Sequence, residues 1–137
     1  MFVLGKSSLK RLEGVHPSLV RVVKRAIEIT PIDFTVIEGL RTPARQRELY
    51  AAGKSKTLNS RHLRQPDGFG HAVDLGPWVR GAIPWNDWNA FDQVARAMLR
   101  AAEELGVAIR WGGDWNQNGR SDDERFLDGP HFELVRV

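Results

Sequence analysis

The stretch DWNAFDQVARAMLRAAEEL, residues 87–105, sets the strongest limit on how this chain folds. Apolar side chains recur at Trp88, Phe91, Ala95, Met98, Ala102 and Leu105, in steps of three and four residues. Only a helix brings that spacing to one side, and a stripe of this width must be buried against another element. A second stripe lies upstream. In PSLVRVVKRAIEI, residues Leu19, Val22, Val23, Ala26 and Ile27 share one helical face, and Pro17 stands in the first turn, where its missing N–H is not needed.

Between and after these helices the period changes. DFTVIEG (33–39) alternates β-branched and aromatic residues and reads as a strand, and HAVDL, VAIRW and HFELV read as three more. Thr42 can cap and Pro43 can open a helix over PARQRELYAA, which Gly53 stops. Residues 54–70 carry Ser, Asn, Pro, Gly and charge and read as one long loop, a feature that in a compact domain is functional or mobile. The order is helix, strand, helix, loop, strand, helix, strand, polar loop, strand. It predicts an α+β domain with a small, mainly antiparallel sheet packed with about three helices. At 137 residues, 42% apolar and 27% charged, the chain is expected to form one domain over 1–137.

The chain has no cysteine, which excludes disulfides and thiolate metal sites, so any transition-metal site must use His, Asp or Glu. SRHLRQPDGFGHAVDL (60–75) holds two histidines and two aspartates, and His131 opens the last strand behind LDGP. His62, Asp74 and His131 would supply two imidazoles and one carboxylate, leaving a fourth tetrahedral position for water, as catalytic zinc requires. Asp128, three residues before His131, is placed to move protons. Spacing alone leaves a second reading open, in which these are scattered turn histidines.

The stretches SRH, GHAVDL, GLRT and DGPHFEL resemble a family of zinc peptidases. It includes D-alanyl-D-alanine dipeptidases and carboxypeptidases and the bacteriophage L-alanyl-D-glutamate peptidases. The family signature runs Ser-x-His, then Gly-x-Ala-x-Asp, then an acidic residue three before a second His. The similarity spans nearly the whole chain. It implies the D-Ala-D-Ala peptidase/hedgehog-like fold, with zinc at the sheet edge on His62, Asp74 and His131. It also implies Asp128 as acid/base, Arg41 as the cation that stabilises the oxyanion, and Ser60 as a substrate residue. In one place the sequence departs from the pattern: seven residues separate His62 from Gly70 where the family has two. That insertion raises His71 with Asp74 as an alternative His-x-x-Asp pair. In a strand, however, Asp74 and His71 point to opposite faces, which favours His62 and leaves His71 outside the ligand set.

DWNQNGRSDDE (114–124) carries Asp114, Asn116 and Asn118 at alternate positions with Gly119 at the turn, as in the first half of a calcium loop. The Arg120 carbonyl and the carboxylates of Asp123 and Glu124 would complete it, in a shortened form, since Arg125 stands where the standard loop wants Glu. Trp78 and Trp85 flank a turn after Asp74 and are candidates for a substrate groove. The function expected is hydrolysis of the L-Ala–D-Glu bond in the peptidoglycan stem by a monomeric, zinc-dependent phage endolysin, with calcium as a second ion. No stretch approaches a membrane span and the first residues lack a signal-peptide run. The enzyme is therefore expected in the host cytoplasm, reaching the wall once the membrane is permeabilised. A D-Ala-D-Ala peptidase would keep the same zinc residues. A calcium- or nucleic-acid-binding domain would make the histidines incidental. Against that, the net charge is only +3 and Lys and Arg are dispersed, so no nucleic-acid partner is expected.

Overall fold

In the computed structural model, residues 1–55, 57–114, 117 and 128–135 are described. The elements run α1 (Lys6–Arg11), α2 (Pro17–Ile29), β1 (Phe34–Glu38), α3 (Pro43–Ala51), β2 (Ala72–Pro77), α4 (Trp88–Leu105), β3 (Ile109–Trp111) and β4 (His131–Leu134). The strands form one antiparallel sheet in the order β1-β2-β4-β3. This is the α+β architecture expected, with one correction: four helices stand where about three were expected. The extra one, α1, buries a serine rather than an apolar stripe, so hydrophobic periodicity gives no sign of it.

Helix α1 serves the sheet edge. The Val36 N–H of β1 donates to Ser8 Oγ at 3.0 Å, and Arg11 Nη1 donates to the Val36 carbonyl at 3.1 Å. Outward-facing backbone groups of an edge strand are thereby satisfied by side chains.

The core forms where α2 and α4 pack together over one face of the sheet. Every residue of the α2 stripe is buried, and so are Val36, Val73, Leu75, Trp111 and Phe132 from the strands. On α4 the buried face runs through Ala90, Phe91, Val94, Ala95, Ala97, Met98, Ala101 and Ala102. Trp88 and Leu105, expected in the stripe, are 38% and 37% exposed at the two helix ends. Small alanines at the centre let the helix approach its neighbours closely. Thr42 Oγ1 accepts from the Arg45 N–H, so α3 starts where its cap and Pro43 predict.

Leu19→Ala should therefore lower the unfolding free energy by about 2–5 kcal/mol, since a fully buried leucine leaves a cavity. Leu9→Ala, at an exposed position of α1, should change it by less than about 0.5 kcal/mol. Urea titration of both variants checks this pair.

Candidate active site

Sheet register brings the first functional groups together. Glu38 pairs with Asp74 and Asp74 with His131, so the three lie in a row across β1, β2 and β4. Residues opposed in an antiparallel pair project to the same face, and the face used here is the one turned away from Val73 and Phe132 in the core. His62 arrives from the long loop. Its Nε2 lies 3.1 Å from Asp74 Oδ1, and His131 Nδ1 lies 3.3 Å from the same oxygen. Both imidazoles are buried, with ring centroids 5.2 Å apart.

The partner on the far nitrogen of each ring fixes its role. A carbonyl can only accept, so His62 donates from Nδ1 to the Gly39 carbonyl at 2.9 Å and keeps Nε2 for the centre. His131 donates from Nε2 to Glu133 Oε1 at 2.8 Å and so turns Nδ1 inward. Arg110, directly opposite Glu133 across β3 and β4, donates to Glu133 Oε2 at 2.8 Å. A carboxylate behind a ligating histidine is the usual way to orient the ring toward a metal. Gly39 has to be a glycine: a Cβ there would meet the Arg11 carbonyl oxygen at 2.0 Å.

Arg41 is held as firmly. Nε donates to Glu38 Oε1 at 2.7 Å, Nη2 donates to the same oxygen, and Nη1 donates to Gln46 Oε1 at 2.7 Å. Asp74 Oδ2 lies 3.8 Å from Nη2. Gln46, from α3, is 1% exposed although it sits in a helix with almost no amphipathic pattern. Ser60 Oγ accepts from the His62 N–H at 3.1 Å. A cleft of about 320 Å³ is lined by Arg41, Ser60, His62, Asp74, Asp128, His131 and Glu133, and also by Lys54, Ser55 and Thr57.

Asp128 reaches this cleft by backbone clamps rather than by a strand. Its N–H donates to the Gly112 carbonyl at 2.9 Å, its carbonyl accepts from the His131 N–H at 3.1 Å, and the Trp111 indole donates to the Gly129 carbonyl at 2.7 Å. A Cβ on Gly112 would meet the Asp128 carbonyl oxygen at 2.2 Å, so the approach depends on the missing side chain.

The electrostatics follow from this crowding. Burial opposes ionisation of Asp74, yet hydrogen bonds from His131 and His62 outweigh it and hold the carboxyl well below the usual range. Burial opposes the charge on His131 too, but hydrogen bonds to Asp74 and Glu133 raise its pKa to about 9. Asp128 shifts the other way: burial and the nearby charge of Asp74 push it up. Glu133, despite burial, is lowered by its bonds to His131 and Arg110. Asp74 and Asp128, which line the same cleft, are thus driven apart in proton affinity.

Among the described residues, two His/Asp groups have the proximity to hold a metal: His62–Asp74–His131 and His16–Asp67–His71. Only the first has nitrogens to offer. His16 Nδ1 accepts from the Ser18 N–H at 3.0 Å, capping α2, and His71 Nδ1 accepts from Arg61 Nη2 at 3.1 Å. Donors on Nδ1 leave the proton on Nε2 of both rings, where His71 donates to Asp67 at 2.6 Å and His16 faces it at 3.7 Å. Asp67 belongs to the insertion, which folds back on itself through the Gln65 N–H to Phe69 carbonyl bond. His71 therefore anchors the insertion, away from Asp74.

Of the sequence-derived calcium residues, Asp114 is buried on the turn after β3, while Asn116, Asn118, Arg120, Asp123 and Glu124 lie outside the described residues. Trp78 and Trp85 are exposed and do not line the cleft. Glu38, Gln46 and Glu133 were not singled out by the sequence. Of these only Glu133 left a signal, two residues beyond His131 and hence on the same strand face.

Comparison with known proteins gives the family and the fold. Residues 1–135 match the family described as phage L-alanyl-D-glutamate peptidase. The chain is 41% identical over 140 residues to the L-alanyl-D-glutamate peptidase of Escherichia phage T5, covering 98% of each. It is 30% identical over 122 residues to the peptidoglycan L-alanyl-D-glutamate endopeptidase CwlK of Bacillus subtilis, covering 82% of this chain and 67% of that one. The crystal structure of the Serratia marcescens L-Ala D-Glu endopeptidase ChiX superposes with a TM-score of 0.79 at 42% identity, over 97% of this chain and 90% of that one.

Gly112→Ala should lower stability by about 1–3 kcal/mol, because the new methyl group must displace the Asp128 backbone. Thermal unfolding measures the loss. A variant as stable as the parent would mean that Asp128 is not clamped in this way.

Proposed function

The chain belongs to the phage L-alanyl-D-glutamate peptidase family and is a peptidase, and from that premise we propose a zinc-dependent endopeptidase that cuts the L-Ala–D-Glu bond of the peptidoglycan stem. One observation carries the metal: His62 Nε2, Asp74 Oδ1 and His131 Nδ1 converge, and each imidazole has its other nitrogen engaged outside the centre. Two imidazoles and one carboxylate suit zinc and leave a position for substrate or water. Bound there, zinc supplies Lewis acidity toward a water and a carbonyl oxygen.

The remaining chemistry falls to the protein. Asp128 removes a proton from the attacking water and delivers it to the leaving amine, a role suited to a carboxyl whose proton affinity is raised by burial. Arg41 meets the negative charge that develops on the carbonyl oxygen, and its clamp on Glu38 and Gln46 keeps the guanidinium from swinging away. Ser60 contributes a wall of the substrate cleft beside His62.

The 114–124 segment is read as a calcium loop on the spacing of Asp114, Asn116 and Asn118 alone, with the ion structural or regulatory. Among the described residues, no helix is long and apolar enough to cross a membrane. The biological setting proposed is phage-induced lysis by a monomer that waits in the host cytoplasm until the membrane is permeabilised. Digestion of purified peptidoglycan, with mass spectrometry of the new amino terminus, tests this reading. A D-Glu amino terminus supports it, and a D-Ala terminus favours the D-Ala-D-Ala peptidase alternative. Asp128→Asn should lower the rate by about 10²–10⁴-fold while keeping bound zinc.

His62→Ala should lose zinc, whereas His71→Ala should retain one equivalent by metal analysis. In the metal-free protein His131 holds its proton up to pH about 9, so binding must displace it. Apparent zinc affinity should then rise about tenfold per pH unit toward that value and level off above it, as read by competition with a chromogenic chelator.

A further inference from the structure

We propose that Lys54 is a specificity residue whose ammonium binds the free carboxylate of the acidic residue on the amine side of the scissile bond. The proposal rests on the endopeptidase reading above. A glutamyl residue inside a peptide commits one carboxyl to the onward bond and leaves the other ionised. In this cleft such a carboxylate meets Asp74, Asp128 and Glu133, all lining the same space. Asp74 and Glu133 already hold cationic partners, so without a further cation the substrate carboxylate loses its hydration uncompensated. Arg41 is already clamped to Glu38 and Gln46, and Arg110 is bonded to Glu133.

Lys54 lines the cleft beside Ser55 and Thr57 and is exposed. Among the described residues, no carboxylate pairs with its ammonium. Its backbone is nevertheless fixed. The Lys54 and Ser55 N–H groups both donate to the Leu49 carbonyl, at 2.9 and 3.2 Å. Buried Gln46 donates from Nε2 to Ser55 Oγ at 2.8 Å and to the Thr57 carbonyl at 2.6 Å, while its Oε1 accepts from Arg41. One side chain therefore ties the turn carrying Lys54 to the same frame as Arg41. The two cations divide the work: a rigid guanidinium for the oxyanion, and a point charge on a flexible stem for a carboxylate whose position varies with the peptide.

The test uses zinc-loaded full-length enzyme and two synthetic peptides, L-Ala-γ-D-Glu-L-Lys and its counterpart with the free carboxylate converted to a carboxamide. Wild type should favour the carboxylate peptide about ten- to a hundredfold in kcat/KM, the range for a hydrogen bond to a charged group. Lys54→Met should remove that preference, chiefly through KM, and leave the carboxamide peptide within about twofold of wild type. Lys54→Arg should restore most of it. Equal losses on both peptides, or none on either, overturn the assignment. If wild type cleaves neither peptide, the endopeptidase reading fails and takes this proposal with it. Should wild type cut both peptides while Lys54→Met changes nothing, the proposal alone fails.

Discussion

The structure turns on one oxygen. Asp74 Oδ1 receives both His62 and His131, while its other oxygen faces Arg41. A carboxylate in a largely buried position is tolerable only with such partners, and removing any one of them leaves a charge that the surroundings cannot solvate. The β2–β4 register and the path of the loop bearing His62 therefore answer to the same requirement. A slip of one residue between β2 and β4 would send Asp74 or His131 into the apolar layer of Val73 and Phe132.

Around that oxygen lies a shell of polar groups that make the site rigid before any substrate arrives. Glu38 and Gln46 grip Arg41, Gly39 grips His62, and Glu133 with Arg110 grips His131. Each contact reaches back to a strand or helix, or in the case of Gly39 to the residue just after β1, so the groups that would meet substrate are mounted on the scaffold. The long loop becomes part of the scaffold by the same means, through Gln46 at one end and the His71–Asp67 latch at the other.

Much of this was legible in the sequence, and what was not shares a cause. Apolar period located α2 and α4, and turn chemistry located α3, because those elements are held by burial and caps that local sequence encodes. The His62–Asp74–His131 group was legible only through motif resemblance, since β2–β4 pairing brings His131 to Asp74 and the long loop brings His62 there. Helix α1 and the role of Gln46 were not legible, because each is held by polar bonds that apolar period does not encode. Gln46 looks like any surface glutamine until Arg41 and the 55–57 turn close over it. The exposed ends of α4 were misplaced for a related reason: period assigns a face but does not say where the neighbouring layer stops.

The helix that period could not find bears on how the protein behaves in bulk. A sheet of four strands has two open edges, and an open edge invites a second chain to add a strand. On one side Ser8 and Arg11 occupy the backbone groups of Val36. On the other, β3 is only three residues long and Gln117 Nε2 reaches the Ile109 carbonyl at 3.3 Å. Side chains of the same chain thus occupy backbone groups on both edges. A truncation that removed α1 would bare the Val36 N–H and carbonyl on that edge and invite self-association.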